Sequence, residues 1–265
     1  MTHHPPRTIT NQKTMKRNQH TRWATLAVCA AMAQASQAAL TALNYQLGEN
    51  DPGATGGSAL QATTDDSGAG DKDLTRQGSG GTYSTTVPLG GSTLSGLFDG
   101  SQSFSASGSG FYAGIDYGDF AFSCDVRPTG NASGFSIAMA LGKGGQGQLF
   151  FYHTGQGSAW NLHSNGLGNL VSGGSVNLNQ WYHLEAKRTG TQMSFFIDGN
   201  LIGSTASFTN TGVLGDSLSI GSGLTSGGVF EGRFQGQVDN VSVIPETSAF
   251  MLGLAGFGLA LRRRR

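Results

Sequence analysis

The segment 181–202 constrains this chain more than any other stretch. Tyr182, Leu184 and Ala186 alternate with polar residues, Thr189-Gly190-Thr191 breaks the run, and Met193, Phe195 and Ile197 then alternate with Ser194 and Asp198. That period of two is the mark of half-buried strands. The Asp198-Gly199 pair, placed before Leu201 and Ile202, is a hairpin signal, because both residue types tolerate the positive φ of a type I′ turn. Two consecutive hairpins form a meander whose apolar face needs a second layer of sheet, so the chain reads as a β-sandwich.

Further runs of the same kind are spread over about 200 residues. Leu43, Tyr45 and Leu47 alternate with Asn44, Gln46 and Gly48 in a first strand, and 50–81 reads as an extended Gly, Asp, Ser and Thr-rich loop. The Asp99-Gly100 pair suggests a hairpin between 94–98 and 102–105, and 119–128 is a strand that Pro128 terminates. Strands follow at 134–141, 148–153, 159–163, 168–171 and 218–221, and the last covers 233–244. The expected fold is all-β, a two-sheet antiparallel jelly-roll sandwich with a short N-terminal signal helix and a short C-terminal hydrophobic helix. The 43 glycines lack the three-residue period of collagen and suit frequent tight turns.

The formal net charge of zero hides an uneven distribution. Nine of the 16 basic residues lie before residue 39 or at 262–265, so residues 39–245 carry seven bases against 15 acids, a balance of −8. That balance disfavours both nucleic acid and an anionic membrane as partners of the folded part, and no nucleic-acid partner is expected. Phe120, Phe122, Cys124 and Val126 share one strand face, which makes Cys124 a small core residue rather than a nucleophile.

Both ends read as addresses. A basic run over 15–22, an apolar run from Trp23 to Ala33 and small residues at Ser36-Gln37-Ala38 have the order of a secretory signal peptide, which assigns residues 1–38 to export, with translation expected to start at Met15. At the other end Pro245-Glu246 precedes an apolar run over 249–261 and then Arg262, Arg263, Arg264 and Arg265. This layout, 244–265, resembles the PEP-CTERM sorting signal of Gram-negative bacteria, although Thr247 stands where a second proline is usual. The resemblance implies an exosortase acting near Pro245-Glu246 after signal peptidase, a transient inner-membrane anchor, and delivery to the cell envelope, outer surface or extracellular matrix. As a helix, 249–261 covers about 20 Å, short of a hydrocarbon core of about 30 Å, and snorkelling arginines make up part of the difference.

Between these ends the order of motifs is itself informative. Tyr45-Gln-Leu-Gly-Glu49, Phe98-Asp-Gly100, Asp119-Phe120 through Pro128, Trp181-Tyr-His183, Phe196-Ile-Asp-Gly199, Ser219-Ile-Gly221 and Phe234 through Val241 resemble the concanavalin A-like, laminin-G-like domains of bacterial surface proteins. The likeness covers roughly 40–245, with the domain itself placed at 40–243. It implies a two-sheet jelly roll, a calcium site at the rim, and recognition of a glycan or another surface macromolecule more often than catalysis. Asp125 stands where the family often has Trp, and alternation points it away from Phe120 and Cys124.

The chemistry-bearing residues give less. Glycosidases on this fold place an acid and a nucleophile about 5 Å apart, often as Glu-x-Asp-x-x-Glu on one strand. Glu49-Asn50-Asp51 lacks the second Glu and runs into Pro52-Gly53, while Glu185 and Glu231 stand alone. We therefore expect no catalytic residues. His153, His163 and His183 stand at least ten positions apart on strands, and His183 suits packing or a hydrogen bond. Asp239 is read as sharing a strand face with Val241 and Val243, where an acid needs a partner, and with Asp99 it is the candidate calcium ligand. Exposed aromatics stack on sugar rings, and Tyr152 and Trp160 are the candidate ligand contacts. The expected function is an exported, non-catalytic recognition module, with a ligand-free structural matrix protein and a glycoside hydrolase as the alternatives.

Overall fold

The computed structural model describes residues 42–246, apart from 69–71, 91, 109–110, 113–114, 116–117, 131–133, 144–146, 207, 210–213 and 226–228. The signal helix expected within 1–38 and the hydrophobic helix expected at 249–261 lie outside the described residues, as do the four terminal arginines. In chain order the strands are β1 (Leu43–Tyr45), β2 (Thr63–Thr64), β3 (Leu74–Gln77), β4 (Thr82–Ser84), β5 (Ser95–Asp99) and β6 (Ser103–Ser107). They continue with β7 (Phe120–Pro128), β8 (Ser136–Leu141), β9 (Leu149–His153), β10 (Ala159–Ser164), β11 (Gly168–Ser175) and β12 (Tyr182–Thr189). The last six are β13 (Gln192–Ile197), β14 (Asn200–Thr205), β15 (Ser217–Ile220), β16 (Gly223–Leu224), β17 (Phe230–Glu231) and β18 (Gln235–Pro245).

Two eight-stranded sheets account for all but the β16–β17 hairpin. The first has the order β14-β13-β12-β7-β18-β5-β4, with β1 also paired to β18; the second runs β11-β10-β9-β8-β15-β6-β3-β2. The meander at 181–202 is as read: β12, β13 and β14 pair in sequence, and Asp198 (φ 52) and Gly199 (φ 75) both take the left-handed conformation of a type I′ turn. Its inward residues Leu184, Ala186, Met193 and Phe195 are fully buried. Phe151 of the second sheet stacks on Phe122 (centroids 4.5 Å apart) and on Phe195 (5.5 Å), both from the first. These rings close the dry layer between the sheets and hold Cys124, whose thiol burial pushes well up.

Three expectations are corrected. Asp99-Gly100 is not a hairpin turn, because β5 belongs to the first sheet and β6 to the second; the turn carries the chain across the sandwich. Residues 50–81 are more than a loop, since β2 and β3 edge the second sheet there. Asp239 does not share a face with Val241 and Val243. Asn240 (φ 47) is one extra residue in β18 between the pairs Asp239↔Asp125 and Ser242↔Ser123, and this bulge turns Asp239 to the opposite face.

Candidate functional site

Two neighbouring strands of the second sheet, β8 and β9, present apolar residues on both faces. Leu149 and Phe151 point into the sandwich, while Phe150 and Tyr152 point outward and form a separate cluster with Ile137 and Ala140. Phe135, 48% exposed, covers them: its ring lies 4.6 Å from that of Tyr152, edge to face, and 6.3 Å from Phe150. His163 of β10 packs 4.7 Å from Phe150. The outcome is an aromatic patch on an outer sheet face, with Phe135 as its solvent-facing plate.

Polar side chains border the patch toward β11. Tyr152 donates its hydroxyl to Asn169 Oδ1 (3.0 Å), and His163 Nδ1 lies 2.8 Å from the same oxygen. Asn169 Nδ2 donates to Asn161 Oδ1 (3.2 Å), which also accepts from Ser172 Oγ (2.5 Å), and Asn161 Nδ2 donates to the Ala159 carbonyl (2.9 Å). The strand period places Asn161 and His163 together here while Trp160 and Leu162 face the core. Asn169 and Ser172 are exposed, so the row offers amide, hydroxyl and imidazole groups beside an aromatic surface. Such a combination of apolar plate and orienting polar groups suits a sugar polymer, whose rings have an apolar C–H face and a hydroxyl rim.

Of the two candidate ligand contacts, only Tyr152 belongs to this patch, and its ring is 6% exposed under Phe135. Trp160 lies in the core with no exposed surface, edge to face with His153 (5.0 Å) and Tyr182 (5.7 Å), and cannot stack on a sugar. Phe135, Phe150, Asn161, Asn169 and Ser172 are not singled out by the sequence, and His163 is noted there only with the other strand histidines. The signal that points to them is the unbroken apolar run Leu149–Tyr152, which tells of a strand covered on both faces.

The three histidines do not converge. His153 is in the core, where burial lowers its pKa to about 4 and its Nδ1 accepts from the Gly155 N–H (3.0 Å). His183 lies on the outer face of the first sheet, its Nδ1 2.6 Å from Asp125 Oδ1, and that hydrogen bond raises its pKa.

Nor do Asp99 and Asp239 meet. Asp99 pairs with Gln235 of β18, four residues and about 13 Å along the strand from Asp239. The exposed Asp99 carboxylate accepts from the Ser101 hydroxyl (2.5 Å) and backbone N–H (2.9 Å), which hold its pKa down. It has its hydrogen bonds without a cation. Asp239 differs: it has no exposed surface and sits where β18 passes from pairing with β5 (235–238) to pairing with β1 (241–243). Its Oδ1 accepts from the N–H groups of Leu47 (3.2 Å) and Asn240 (2.8 Å), while Oδ2 is buried without a partner among the described residues. Burial pushes this carboxyl up to about 7, and the charges of Glu49 and Asp125 add to the effect. Glu49 brings a second buried, unpartnered carboxylate oxygen, Oε2. These two oxygens fit a hard cation, but among the described residues no three His, Cys, Asp or Glu side chains converge as a metal shell.

Two stacked antiparallel sheets define the class of fold, a concanavalin A-like sandwich, and comparison with known proteins gives the family. Residues 98–247, more than half of the chain, match the Laminin_G_3 model of the concanavalin A-like lectin/glucanases superfamily, and the chain belongs to that family. Domain 4 of AbnA, an extracellular GH43 arabinanase from Geobacillus stearothermophilus solved in complex with arabinotriose, is similar over 82% of this chain and 98% of that one, with 17% identity and a TM-score of 0.58. The botulinum neurotoxin serotype C1 binding domain follows 80% of this chain (12% identity, TM-score 0.53), and this chain spans 50% of its length. A Trypanosoma rangeli sialidase follows 81% (18% identity, TM-score 0.51), with 32% of its own length spanned. At these identities the likeness establishes the fold alone. No curated protein matches the sequence significantly.

Proposed function

We propose that this chain is an exported, non-catalytic glycan-recognition module that binds through the outer face of the second sheet. The observation that carries the reading is the exposed Phe135 plate, backed by Phe150 and Tyr152 and bordered by the Asn161, His163, Asn169 and Ser172 row. Membership of a lectin/glucanase family supports it, as does the arabinotriose bound by the structurally similar arabinanase domain. Recognition is favoured over hydrolysis because the polar groups of the patch are amides, hydroxyls and an imidazole. A glycosidase needs two carboxylates flanking an accessible bond. Asp125 and Asp239 are cross-strand neighbours, yet Asp239 is buried and Asp125 is bonded to His183 and Asn240.

The export reading rests on the layout of 1–38 and 244–265, with signal peptidase and exosortase as the processing partners and the cell envelope or extracellular matrix as the destination. Of the sorting motif, Pro245 closes β18 in a buried position opposite Phe120, and Glu246 is exposed. Calcium enters the proposal at Asp239 and Glu49. Binding of the full-length chain to a glycan array tests the recognition reading: Phe135→Ala is expected to lower saturable binding about tenfold or more without loss of folding. Absence of saturable binding to any glycan would leave the structural matrix reading in its place.

A further inference from the structure

We infer that the patch selects neutral, hydroxyl-rich glycans over polyanionic ones, because its hydrogen-bond network is wired so that most of its outward valences are acceptors; this rests on the glycan-binding reading above. The wiring follows from one fixed point. The Ala159 carbonyl can only accept, so the atom of Asn161 facing it must be Nδ2, which turns Asn161 Oδ1 toward Asn169 and Ser172. Asn169 must then present Nδ2 to Asn161, which leaves its Oδ1 toward Tyr152 and His163. An amide oxygen donates nothing, so both of those neighbours must donate: the Tyr152 hydroxyl proton and an Nδ1–H on His163. The network assigns the neutral imidazole its Nδ1–H tautomer.

The consequences lie at the surface. With its proton on Nδ1, neutral His163 has a lone pair on Nε2, which no hydrogen bond occupies among the described residues. Tyr152 and Ser172 have each committed their proton inward and retain only oxygen lone pairs. Against these three acceptors stand the spare amide hydrogens of Asn169 and Asn161. A sugar hydroxyl both donates and accepts, so it satisfies such a surface. A carboxylate or sulfate is acceptor-only and would face lone pairs while losing its water. Among the described residues no arginine or lysine joins the network to form the bidentate or point-charge contacts that anionic sugars require. Both ion pairs among the described residues, His183–Asp125 and Lys187–Glu185, lie on the first sheet. The −8 balance of residues 39–245 adds a long-range field of the same sense.

The test uses the full-length chain at about pH 8 and about 0.15 M salt, where the Debye length of about 8 Å suppresses non-specific charge effects. Immobilised arabinan, β-glucan and mannan are compared with polygalacturonate, alginate and dextran sulfate. Saturable binding to at least one neutral polymer is expected, with every anionic polymer about tenfold weaker or more. Asn169→Ala and Ser172→Ala, both at exposed positions, are each expected to weaken neutral binding between about threefold and tenfold, the size of one lost hydrogen bond, with melting temperatures close to that of the parent chain. Equal or tighter binding of an anionic polymer overturns the wiring inference and leaves glycan recognition standing. Neutral binding unmoved by both substitutions places the ligand elsewhere and also overturns it. Failure on all six polymers overturns the glycan reading itself.

Discussion

Asp239→Asn should change how the stability of the domain depends on pH. In the folded state burial raises the Asp239 carboxyl from 3.8 to about 7. An acid raised in this way keeps its proton in the folded chain while the unfolded chain has already lost it. Folding stability therefore falls as pH rises from about 4 to about 7, and is flat on either side. Three pH units at about 1.36 kcal/mol each set the loss at no more than about 4 kcal/mol. His153 works in the opposite sense: its pKa is lowered to about 4, so stability rises from about pH 4 to about pH 6.5. The two slopes partly cancel in the parent chain, and only the difference between parent and variant isolates Asp239. The amide keeps an Oδ1 to accept from Leu47 and Asn240 and carries no charge at any pH. Urea titrations with chelator at about pH 4.5, 6 and 8 should show the variant gaining on the parent by up to about 4 kcal/mol, equivalent to about 10 °C in melting temperature for a domain of this size. A difference that does not change with pH, or one that moves against the variant as pH rises, would refute the burial argument.

Calcium added at about pH 8 should raise the melting temperature of the parent chain over chelator, and Asp239→Asn should abolish the increment; equal increments in both would separate calcium from this carboxylate. The His183 ring should titrate above free imidazole, because the Asp125 hydrogen bond favours its charged form, and Asp125→Asn should bring it down, as read by NMR of the ring protons. The stability this pair contributes is fully present below about pH 6.5 and lost as pH rises through the folded pKa, and it is modest because the His183 side chain is 43% exposed. Phe151→Ala removes the ring that stacks on both Phe122 and Phe195 and should cost about 3–5 kcal/mol by urea unfolding, with a small effect pointing to a loosely packed centre.

The parts of the fold that were legible in the sequence are those set by local chemistry. The alternation at 181–197 and the positive-φ pair Asp198-Gly199 determine a meander wherever they occur, and β12 to β14 form it. Asp99-Gly100 carries the same turn chemistry, yet its flanking strands pair in different sheets. A turn signal states how the backbone bends, and the neighbours available to each strand decide what it pairs with. Asp239 shows the same limit at one residue. Strict alternation puts it with Val241 and Val243, and the extra residue at Asn240 reverses its face. Asparagine tolerates φ 47, but nothing local says that a bulge must fall there. In the candidate site Tyr152 and Trp160 were equivalent as aromatic strand residues. Their different depths follow from which face of the second sheet each occupies.

The sequence by itself determined that this is an all-β chain of short, turn-punctuated strands, with Cys124, Leu184 and Phe195 facing inward, because side-chain period and turn residues act over a few positions. Only the tertiary structure decided that Phe135, Phe150 and Tyr152 meet the Asn161, His163, Asn169 and Ser172 row on one outer face. Those residues come from four consecutive segments, β9 to β11 and the residue before β8, and the face that each strand turns outward is chosen by the packing of the whole sandwich.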